Sequence, residues 1–408
     1  MSASPIADKS AASPGGRGLI ALSLLWLCGL CLRLSILTIP PVIPLLHADL
    51  HMSETGIGVL SSLPPMLLAI GAVPGALLIA RYGILPALLV GLVLNAIGSV
   101  ARAAIPDALA LDAFTIVMAA GVAIMQPALP PLVRAWFPQR IGFATAVYSN
   151  GLLVSEIVVV ALTIPFVLPL VGGSWRLSFV VWSVLVMATA ALFAVFAPRV
   201  GGAKSAIPTE RQKWWPDWKR PLIWRLGLIL ASVNTTYFVT NAFLPDYVIA
   251  VNRPDLVSSS LTALNVAQLP ASFLMMVYAG RLVTRPWVYV LMGSLCLLSL
   301  IGMMVMQNGW IVFWAALLGF ANSVTMVLAF ALPSVFSAPD DVHRTSAAMF
   351  TISYSCAMAV AVFGGWLWDV TDLAIAGLVP VACCEVFIIA LASTVKRAER
   401  QPATSAPG

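Results

Sequence analysis

The run Leu19–Leu46, LIALSLLWLCGLCLRLSILTIPPVIPLL, decides the class of this protein. It is long enough to cross the hydrocarbon core of a bilayer, which takes about 20 apolar residues in a helix. Arg33 interrupts the run near its middle, and Pro40, Pro41 and Pro44 interrupt it near its end. An arginine at the centre of a lipid-spanning helix costs roughly 2.5–3.5 kcal/mol on insertion scales. We therefore expect Arg33 to face a protein interior or a water-filled cavity, as a candidate functional residue.

The composition places the whole chain in a membrane. Of its 408 residues, 61% are hydrophobic and 9% are charged, whereas a soluble domain carries about 25% charged residues. The six cysteines fall inside apolar runs, so we expect no disulfide framework. The histidines lack metal-ligand spacing, and the sequence has no Walker A loop and no nucleophile elbow. We predict a polytopic membrane protein that is not an enzyme and that uses no cofactor or metal.

Helix-length apolar runs recur along the chain with short polar breaks between them. We count twelve and predict a transmembrane helix for each, over 18–46, 54–80, 84–104, 111–135, 141–170, 176–197, 222–250, 258–280, 287–306, 310–337, 345–368 and 374–395. We therefore expect a disordered tail at 1–17, a six-helix bundle over 18–197, a linker loop over 198–221, a second six-helix bundle over 222–395 and a tail at 396–408.

The distribution of basic residues predicts the orientation, because positively charged loops stay on the cytoplasmic side. With the N-terminus inside, that side carries Lys9, Arg17, Arg81, Arg134, Arg140, the linker loop, Arg225, Arg281, Arg285, Arg344, Lys396, Arg397 and Arg400. The other side keeps little more than Arg176 and Arg253. We expect a plasma-membrane protein of the bacterial inner-membrane type with both termini in the cytoplasm. The net charge of +6 then follows from topology and indicates no nucleic-acid partner.

The two halves of the chain repeat each other. Arg81 and Arg285 follow corresponding apolar runs, and Arg140 and Arg344 open another corresponding pair; both pairs are 204 residues apart. Ala128-Leu129-Pro130-Pro131 is matched, at nearly the same spacing, by Ala331-Leu332-Pro333-Ser334. Two parallel repeats of six helices, with a binding site between them near the membrane midplane, are a plan of secondary transporters.

These features resemble the major facilitator superfamily, whose loop between helices two and three has the signature G-x-L-x-D-R-x-G. Leu78, Arg81 and Gly83 match it, whereas Ala76 and Ala80 replace its first glycine and its aspartate. The chain is also similar to the cyanate/nitroimidazole permease (CynX/NimT) branch. The matching residues are Leu32-Arg33 with Pro41 and Pro44-Leu45, Arg102, Gly121 to Pro130 with Phe137-Pro138-Gln139-Arg140, Asn234 to Tyr237 with Ala242 to Pro245, and Gln268. The resemblance implies two pseudo-symmetric six-helix bundles and transport of a small solute.

Seven polar residues fall near the middle of their runs: Arg33, Gln126, Glu156, Asn234, Gln268, Asn322 and Tyr354. Arg33 is about fifteen residues into its predicted helix, or roughly 22 Å at 1.5 Å per residue. In the superfamily fold these residues belong to helices that resemble the cavity-lining set. We predict that Arg33, Gln126, Asn234, Gln268, Asn322 and Tyr354 bind the solute.

Each candidate also has a structural alternative. The Arg33 guanidinium can fork onto an anion or form an ion pair with Glu156, and a pair that breaks on binding satisfies both hypotheses. Glu156 can instead carry a coupling proton. The amides can bond neighbouring helices, at about 0.6 kcal/mol each. Arg102 is either a gate or a side chain that snorkels to the interface. Arg81 is a second candidate gate, and we assign no role to Glu385.

We expect a monomeric secondary transporter that moves a small anionic, cyanate-like or polar solute across the bilayer by alternating access. The alternative is an efflux pump for small organic compounds such as nitroimidazoles, which needs a larger and more aromatic cavity and has less use for Arg33. Uniport, proton symport and exchange all fit the sequence, which does not name the solute.

Overall fold

The computed structural model of this protein describes residues 16–201, 213–306 and 309–398. Most of the two predicted tails and residues 202–212 of the predicted linker loop lie outside the described residues, so the predictions for those segments stay predictions.

Twelve helices within the described residues are long and apolar enough to cross a membrane, and we number them in chain order. Helices 1 to 6 are Gly16–Leu34, Gly56–Tyr82, Ile84–Ala101, Ala108–Trp136, Ile141–Leu170 and Trp175–Val200. Helices 7 to 12 are Pro221–Ala250, Pro254–Leu282, Pro286–Val305, Trp310–Phe336, Pro339–Thr371 and Ala374–Ala392. The predicted all-α fold with twelve membrane spans is confirmed.

Helix 1 is shorter than its apolar run, and the predicted helix over 18–46 was wrong. The helix ends at Leu34, and a turn, a 3-10 turn (Pro40–Val42) and a short helix (Ile43–Leu50) follow it. The prolines explain the break, because proline has no N–H to donate to the carbonyl four residues earlier. A continuous helix would leave three carbonyls without donors, those of Ile36, Leu37 and Pro40. The break therefore falls more than one turn before Pro40, after Leu34 and one residue beyond Arg33.

Small residues hold the helices of each bundle close together. A Cβ at Gly29 in helix 1 would meet the backbone of Tyr148 in helix 5, and a Cβ at Gly319 in helix 10 would meet the backbone of Leu264 in helix 8. Close backbone approach at glycine is typical of packing between membrane helices, where lipid supplies no hydrophobic driving force.

One end of the molecule closes the gap between the bundles. We call it the arginine-rich end, because Arg81, Arg134, Arg140, Arg281 and Arg344 lie there, where helices 2, 4 and 8 finish and helices 5 and 11 begin.

Hydrogen bonds between helices 4 and 10 tie the bundles together at this end. Arg134 donates from Nη1 to the carbonyl oxygens of Ser334 (2.9 Å) and Ser337, and Ser334 donates from Oγ to the carbonyl of Pro130 at 2.8 Å. A Cβ at Gly142 in helix 5 would meet the backbone of Gly280 in helix 8. The halves of helices 5, 7 and 11 nearest this end are largely buried, whereas their opposite halves are more exposed.

Candidate functional site

An ion pair lies between the bundles, at the broken end of helix 1. Nε of Arg33 is 3.3 Å from Oε1 of Glu156 in helix 5, and each residue is 7% exposed. The prediction that Arg33 lies mid-way along its own helix was wrong, since it is the residue before the last. The pair nevertheless lies at mid-depth, because Glu156 is half-way along helix 5. Buried charges need partners, and here each charge supplies the other's.

Two aromatic rings of helix 7 cover the Arg33 guanidinium. Its Cζ is 4.9 Å from the ring centroid of Phe238 and 5.7 Å from that of Tyr237. Both distances lie within the range of a cation–π attraction, which is strongest where water is excluded. Oε2 of Glu156 has no hydrogen-bond partner within the described residues. The centre of the molecule therefore combines a neutralised ion pair, an unused carboxylate oxygen and aromatic faces.

The rings beside Arg33 belong to a longer series of aromatic contacts that spans both bundles. Neighbouring ring centroids are 5.1–6.4 Å apart along the series Tyr237, Phe238, Tyr354, Phe350, Phe330 and Tyr148. Such spacings are typical of favourable aromatic pairs, each worth about 0.5–1.5 kcal/mol beyond burial. We call these six residues the aromatic series.

The repeat in the sequence locates the axis that relates the two bundles. Tyr237 lies 204 residues after Arg33, and its ring contacts the Arg33 guanidinium; Pro130 likewise accepts a hydrogen bond from Ser334, which ends the matching segment Ala331-Leu332-Pro333-Ser334. Under an approximate twofold rotation, a residue contacts its own counterpart only where the chain approaches the axis. The pseudo-twofold axis therefore passes through the Arg33 site and through the contact that closes the arginine-rich end.

Gln126 and Tyr354 join the two bundles beside this site. Gln126 in helix 4 donates from Nε2 to the hydroxyl of Tyr354 in helix 11 at 2.8 Å, and that hydroxyl lies 3.3 Å from Oε1 of Gln126. The ring of Tyr354 contacts Phe238, which covers Arg33. These two predicted residues are thus brought together next to the ion pair.

The other predicted amides make hydrogen bonds inside the C-terminal bundle. Asn234 donates from Nδ2 to Oγ of Ser353 at 2.7 Å. Gln268 donates from Nε2 to Oδ1 of Asn265 at 3.2 Å. Asn322 is buried in helix 10. In this conformation Asn234 joins helices 7 and 11 and Gln268 bonds within helix 8, so any contact of these amide N–H groups with a solute requires them to exchange partners.

Arg102 stabilises the break in helix 1. It donates from Nη2 to the carbonyl oxygen of Ser35 at 3.0 Å and lies 3.4 Å from Oγ1 of Thr38. Its Cζ is 4.6 Å from the ring centroid of Phe179. The prediction that Arg102 snorkels to the interface was wrong, because the residue is 1% exposed. A broken helix leaves buried carbonyls without donors, and Arg102, the residue after helix 3, supplies a donor to one of them.

Sequence reasoning missed Phe238, Phe330 and Phe350 of the aromatic series, and it missed Asn150. Asn150 in helix 5 accepts a hydrogen bond from Trp26 and donates to Ser272 of the other bundle, at 3.0 and 2.9 Å. The repeat in the sequence could have indicated one ring of the aromatic series, because the residue 204 positions after Arg33 is Tyr237.

The Major Facilitator Superfamily sequence profile matches residues 25–404. The chain belongs to this superfamily. It is 24% identical to the uncharacterised transporter YycB of Bacillus subtilis over 83% of this chain and 84% of the relative. It is 24% identical to the 2-nitroimidazole transporter of Escherichia coli (73% of this chain, 75% of the relative) and 25% identical to the cyanate transport protein CynX of Escherichia coli (73% and 76%). The resemblance to the cyanate/nitroimidazole branch is confirmed.

Solved structures of the superfamily share the fold. The proton:xylose symporter XylE superposes with a TM-score of 0.74 at 13% identity, covering 94% of this chain and 97% of its own. The transporter FucP in its outward conformation gives a TM-score of 0.71 at 12% identity, covering 92% and 99%. The human organic anion transporter MFSD10 gives 0.74 at 12% identity, covering 93% and 100%. These similarities establish the two-bundle architecture.

Arg81 does not join the central site of this major facilitator protein. It is exposed at the arginine-rich end of helix 2, and its Cζ lies 5.4 Å from the ring of the adjacent Tyr82. Ala80 stands where the superfamily signature has its aspartate. A gate role for Arg81, like one for Arg102, stays a prediction.

Proposed function

We propose that this protein is a secondary transporter for a small solute with a negatively charged or strongly polar group, and that Arg33 binds this group. The observation that carries the proposal is the buried Arg33–Glu156 pair on the pseudo-twofold axis, between the bundles. A site on the axis can face either side of the membrane when the bundles rock, with no need for the solute to change partners.

The ion pair suggests how binding proceeds. A carboxylate is itself a small planar anion, so Glu156 occupies the position on Arg33 that an anionic solute would take. When the solute displaces Glu156, the released carboxylate remains buried, and neutralising it takes one proton. One monoanion and one proton then enter the site together, and its net charge does not change. We therefore propose proton-coupled transport of a monoanion, with Glu156 as the competing group.

Polar side chains around Arg33 would complete the site. Gln126 and Tyr354 lie next to the pair and offer an amide and a hydroxyl from opposite bundles. Asn234, Gln268 and Asn322 would join when the C-terminal bundle rearranges. The solute would thus be held by both bundles, which couples its binding to their relative position.

The arginine-rich end would face the cytoplasm of a bacterial-type inner membrane, by the positive-inside rule. The closed arginine-rich end then corresponds to a state that admits the solute from the outer side. Breaking the helix 4–helix 10 contacts, including Arg134 with Ser334, would open the site to the cytoplasm.

Substitution of Arg33 tests the proposal. Purified wild-type protein should be stabilised against heat by cyanate, and proteoliposomes should take cyanate up. Arg33→Ala should lose both effects and should still purify as a folded protein, because removing the cation leaves Glu156 able to accept a proton. Arg281→Ala, at an exposed arginine of the arginine-rich end, is the matched control and should behave as wild type. Wild-type uptake by Arg33→Ala would overturn the role of Arg33.

A second function is favoured by a separate observation. The aromatic series offers flat faces beside the ion pair, which suit a small planar organic compound such as a nitroimidazole. An exporter of such compounds would be stabilised by 2-nitroimidazole more than by cyanate, and this stabilisation would fall in Phe238→Ala and persist in Arg33→Ala. The same thermal assay therefore separates the two functions.

A further inference from the structure

A second acidic residue is buried in the C-terminal bundle, outside the ion pair. Glu385 in helix 12 is 1% exposed, and its Oε1 accepts a hydrogen bond from Oγ1 of Thr236 in helix 7. Helix 9 packs on the other side, where a Cβ at Gly293 would lie 3.6 Å from the carbonyl oxygen of Glu385. Glu385 of helix 12 thus lies buried between helices 7 and 9 of the C-terminal bundle.

Within the described residues, the groups that face this carboxyl are neutral. They are the hydroxyl of Thr236 and the thiols of Cys296 in helix 9 and Cys384 in helix 12, with Cys356 of helix 11 beyond Cys384. Glu156, by contrast, has Arg33 beside it. Burying an ionised carboxylate away from cations is costly in a medium of low dielectric constant, and binding a proton removes that cost. An ionisable group inside a membrane helix is a candidate functional site, because its burial is costly.

Helix 7 connects Glu385 to the central site. Thr236, its hydrogen-bond donor, directly precedes Tyr237, whose ring covers the Arg33 guanidinium. Because the two side chains lie on different faces of one helix, a displacement of helix 7 changes both contacts at once. The Glu385 carboxyl can keep its enclosed position at low cost only while it holds a proton, whereas an ionised carboxylate would favour a looser packing that admits water.

We propose that Glu385 is a second proton-binding site, and that its protonation sets the packing of helix 7 against helix 12. Proton binding favours the enclosed arrangement of this structure, and proton release favours an arrangement in which helix 7 is freed. Glu385 would thereby control how fast the bundles interconvert, whereas Glu156 controls how tightly the solute binds. The proposal rests on the proposed transport function only for this last step.

Two substitutions separate a proton site from a purely structural residue. Glu385→Gln keeps the size of the side chain and an acceptor for Thr236, but it cannot take up or release a proton. Glu385→Asp keeps the proton site but shortens the side chain. A structural role is therefore preserved by Gln and weakened by Asp, and a proton-binding role gives the reverse order.

Hydrogen–deuterium exchange of the full-length protein, without solute, measures the proposed effect. Glu385→Gln is the reference, because it shows the intrinsic pH dependence of exchange alone. Relative to it, raising the pH should increase deuterium uptake in helices 7 and 12 several-fold in wild type and in Glu385→Asp. Asp246→Asn, which changes an exposed acidic residue of helix 7, should follow wild type. The same pH response in Glu385→Gln and wild type overturns the proposal. The proposal is also overturned if, in wild type, the pH-dependent increase in deuterium uptake is no larger in helices 7 and 12 than in helix 3. This second test needs no variant.

Transport assays then test the functional step. In proteoliposomes the maximal rate of cyanate uptake should depend on pH in wild type and Glu385→Asp but not in Glu385→Gln, and the cyanate affinity of Glu385→Gln should be unchanged. A changed affinity with an unchanged pH profile of the rate overturns the role of Glu385. If no variant and no wild type takes up cyanate, the proposed function fails for this solute, while the exchange experiment still decides the proton site.

Discussion

Helix 1 and helix 7 hold equivalent positions in the two repeats, yet one is broken at mid-depth and the other is continuous. Helix 1 ends at Leu34, and helix 7 runs without a break from Pro221 to Ala250. Both carry a proline at the same repeat position, since Pro245 lies 204 residues after Pro41. A single proline is tolerated inside helix 7. In helix 1, Pro40 and Pro44 add to Pro41, and the accumulated loss of donors ends the helix.

This difference explains how two related halves build an asymmetric site. The break places Arg33 at the carboxyl end of a helix, where unpaired carbonyls create a partial negative charge that favours a cation. At the equivalent place helix 7 continues and presents Tyr237 and Phe238 to that cation. The repeat brings the two positions together on the axis, and the prolines decide which of them carries the broken backbone.

The largest effect is expected from Arg102, because it donates a hydrogen bond at the break in helix 1, whereas the continuous helix 7 needs no such donor. Arg102→Met removes the donor to the Ser35 carbonyl. A hydrogen bond to a charged group is worth about 1.5–3 kcal/mol. If its loss misplaces Arg33 and raises the free-energy barrier to transport by the same amount, the rate of uptake falls about ten- to a hundred-fold. Uptake of cyanate into proteoliposomes checks this.

The matched control is Arg176→Met, which removes an arginine whose side chain is 35% exposed and 3.9 Å from Asp49. An exposed ion pair contributes little, so this variant should stay close to wild type. A wild-type rate in Arg102→Met would show that the prolines alone hold the break and that Arg102 is dispensable.

An intermediate effect is expected at Glu156, which has no acidic equivalent in the other repeat, where Val360 stands 204 residues later. Glu156→Gln removes the group that competes for Arg33. We expect cyanate to bind about tenfold more tightly, a change of about 1.4 kcal/mol. In wild type the affinity should rise as the pH falls, because proton binding to Glu156 frees Arg33, and the variant should lose that dependence. Isothermal titration over a range of pH measures both, and unchanged or weaker binding would contradict competition at Arg33.

The contrast between helix 1 and helix 7 also shows how much of the structure can be predicted from the sequence. The twelve spans follow from local apolar runs, and Arg33 and Glu156 stand out because charge inside such runs is costly. The hydrogen bond from Arg102 to the Ser35 carbonyl at the break joins residues 67 positions apart along the chain, and hydropathy does not reveal that contact. The aromatic series was missed for another reason. Aromatic residues are common in membrane helices, and only their three-dimensional contacts single out Phe238, Phe330 and Phe350.

The smallest effect is expected from the two prolines that share a repeat position. Pro41→Ala returns a donor to the carbonyl of Leu37. Pro40 and Pro44 still leave the carbonyls of Ile36 and Pro40 without donors, so the break should persist. Pro245→Ala restores a donor inside a helix that is already continuous. Each variant should therefore transport cyanate within about twofold of wild type, which corresponds to about 0.4 kcal/mol. A large loss of uptake in Pro41→Ala but not in Pro245→Ala would mean that a single backbone donor decides whether helix 1 is broken or continuous. The different numbers of prolines in helices 1 and 7 would then not be what separates the two helices.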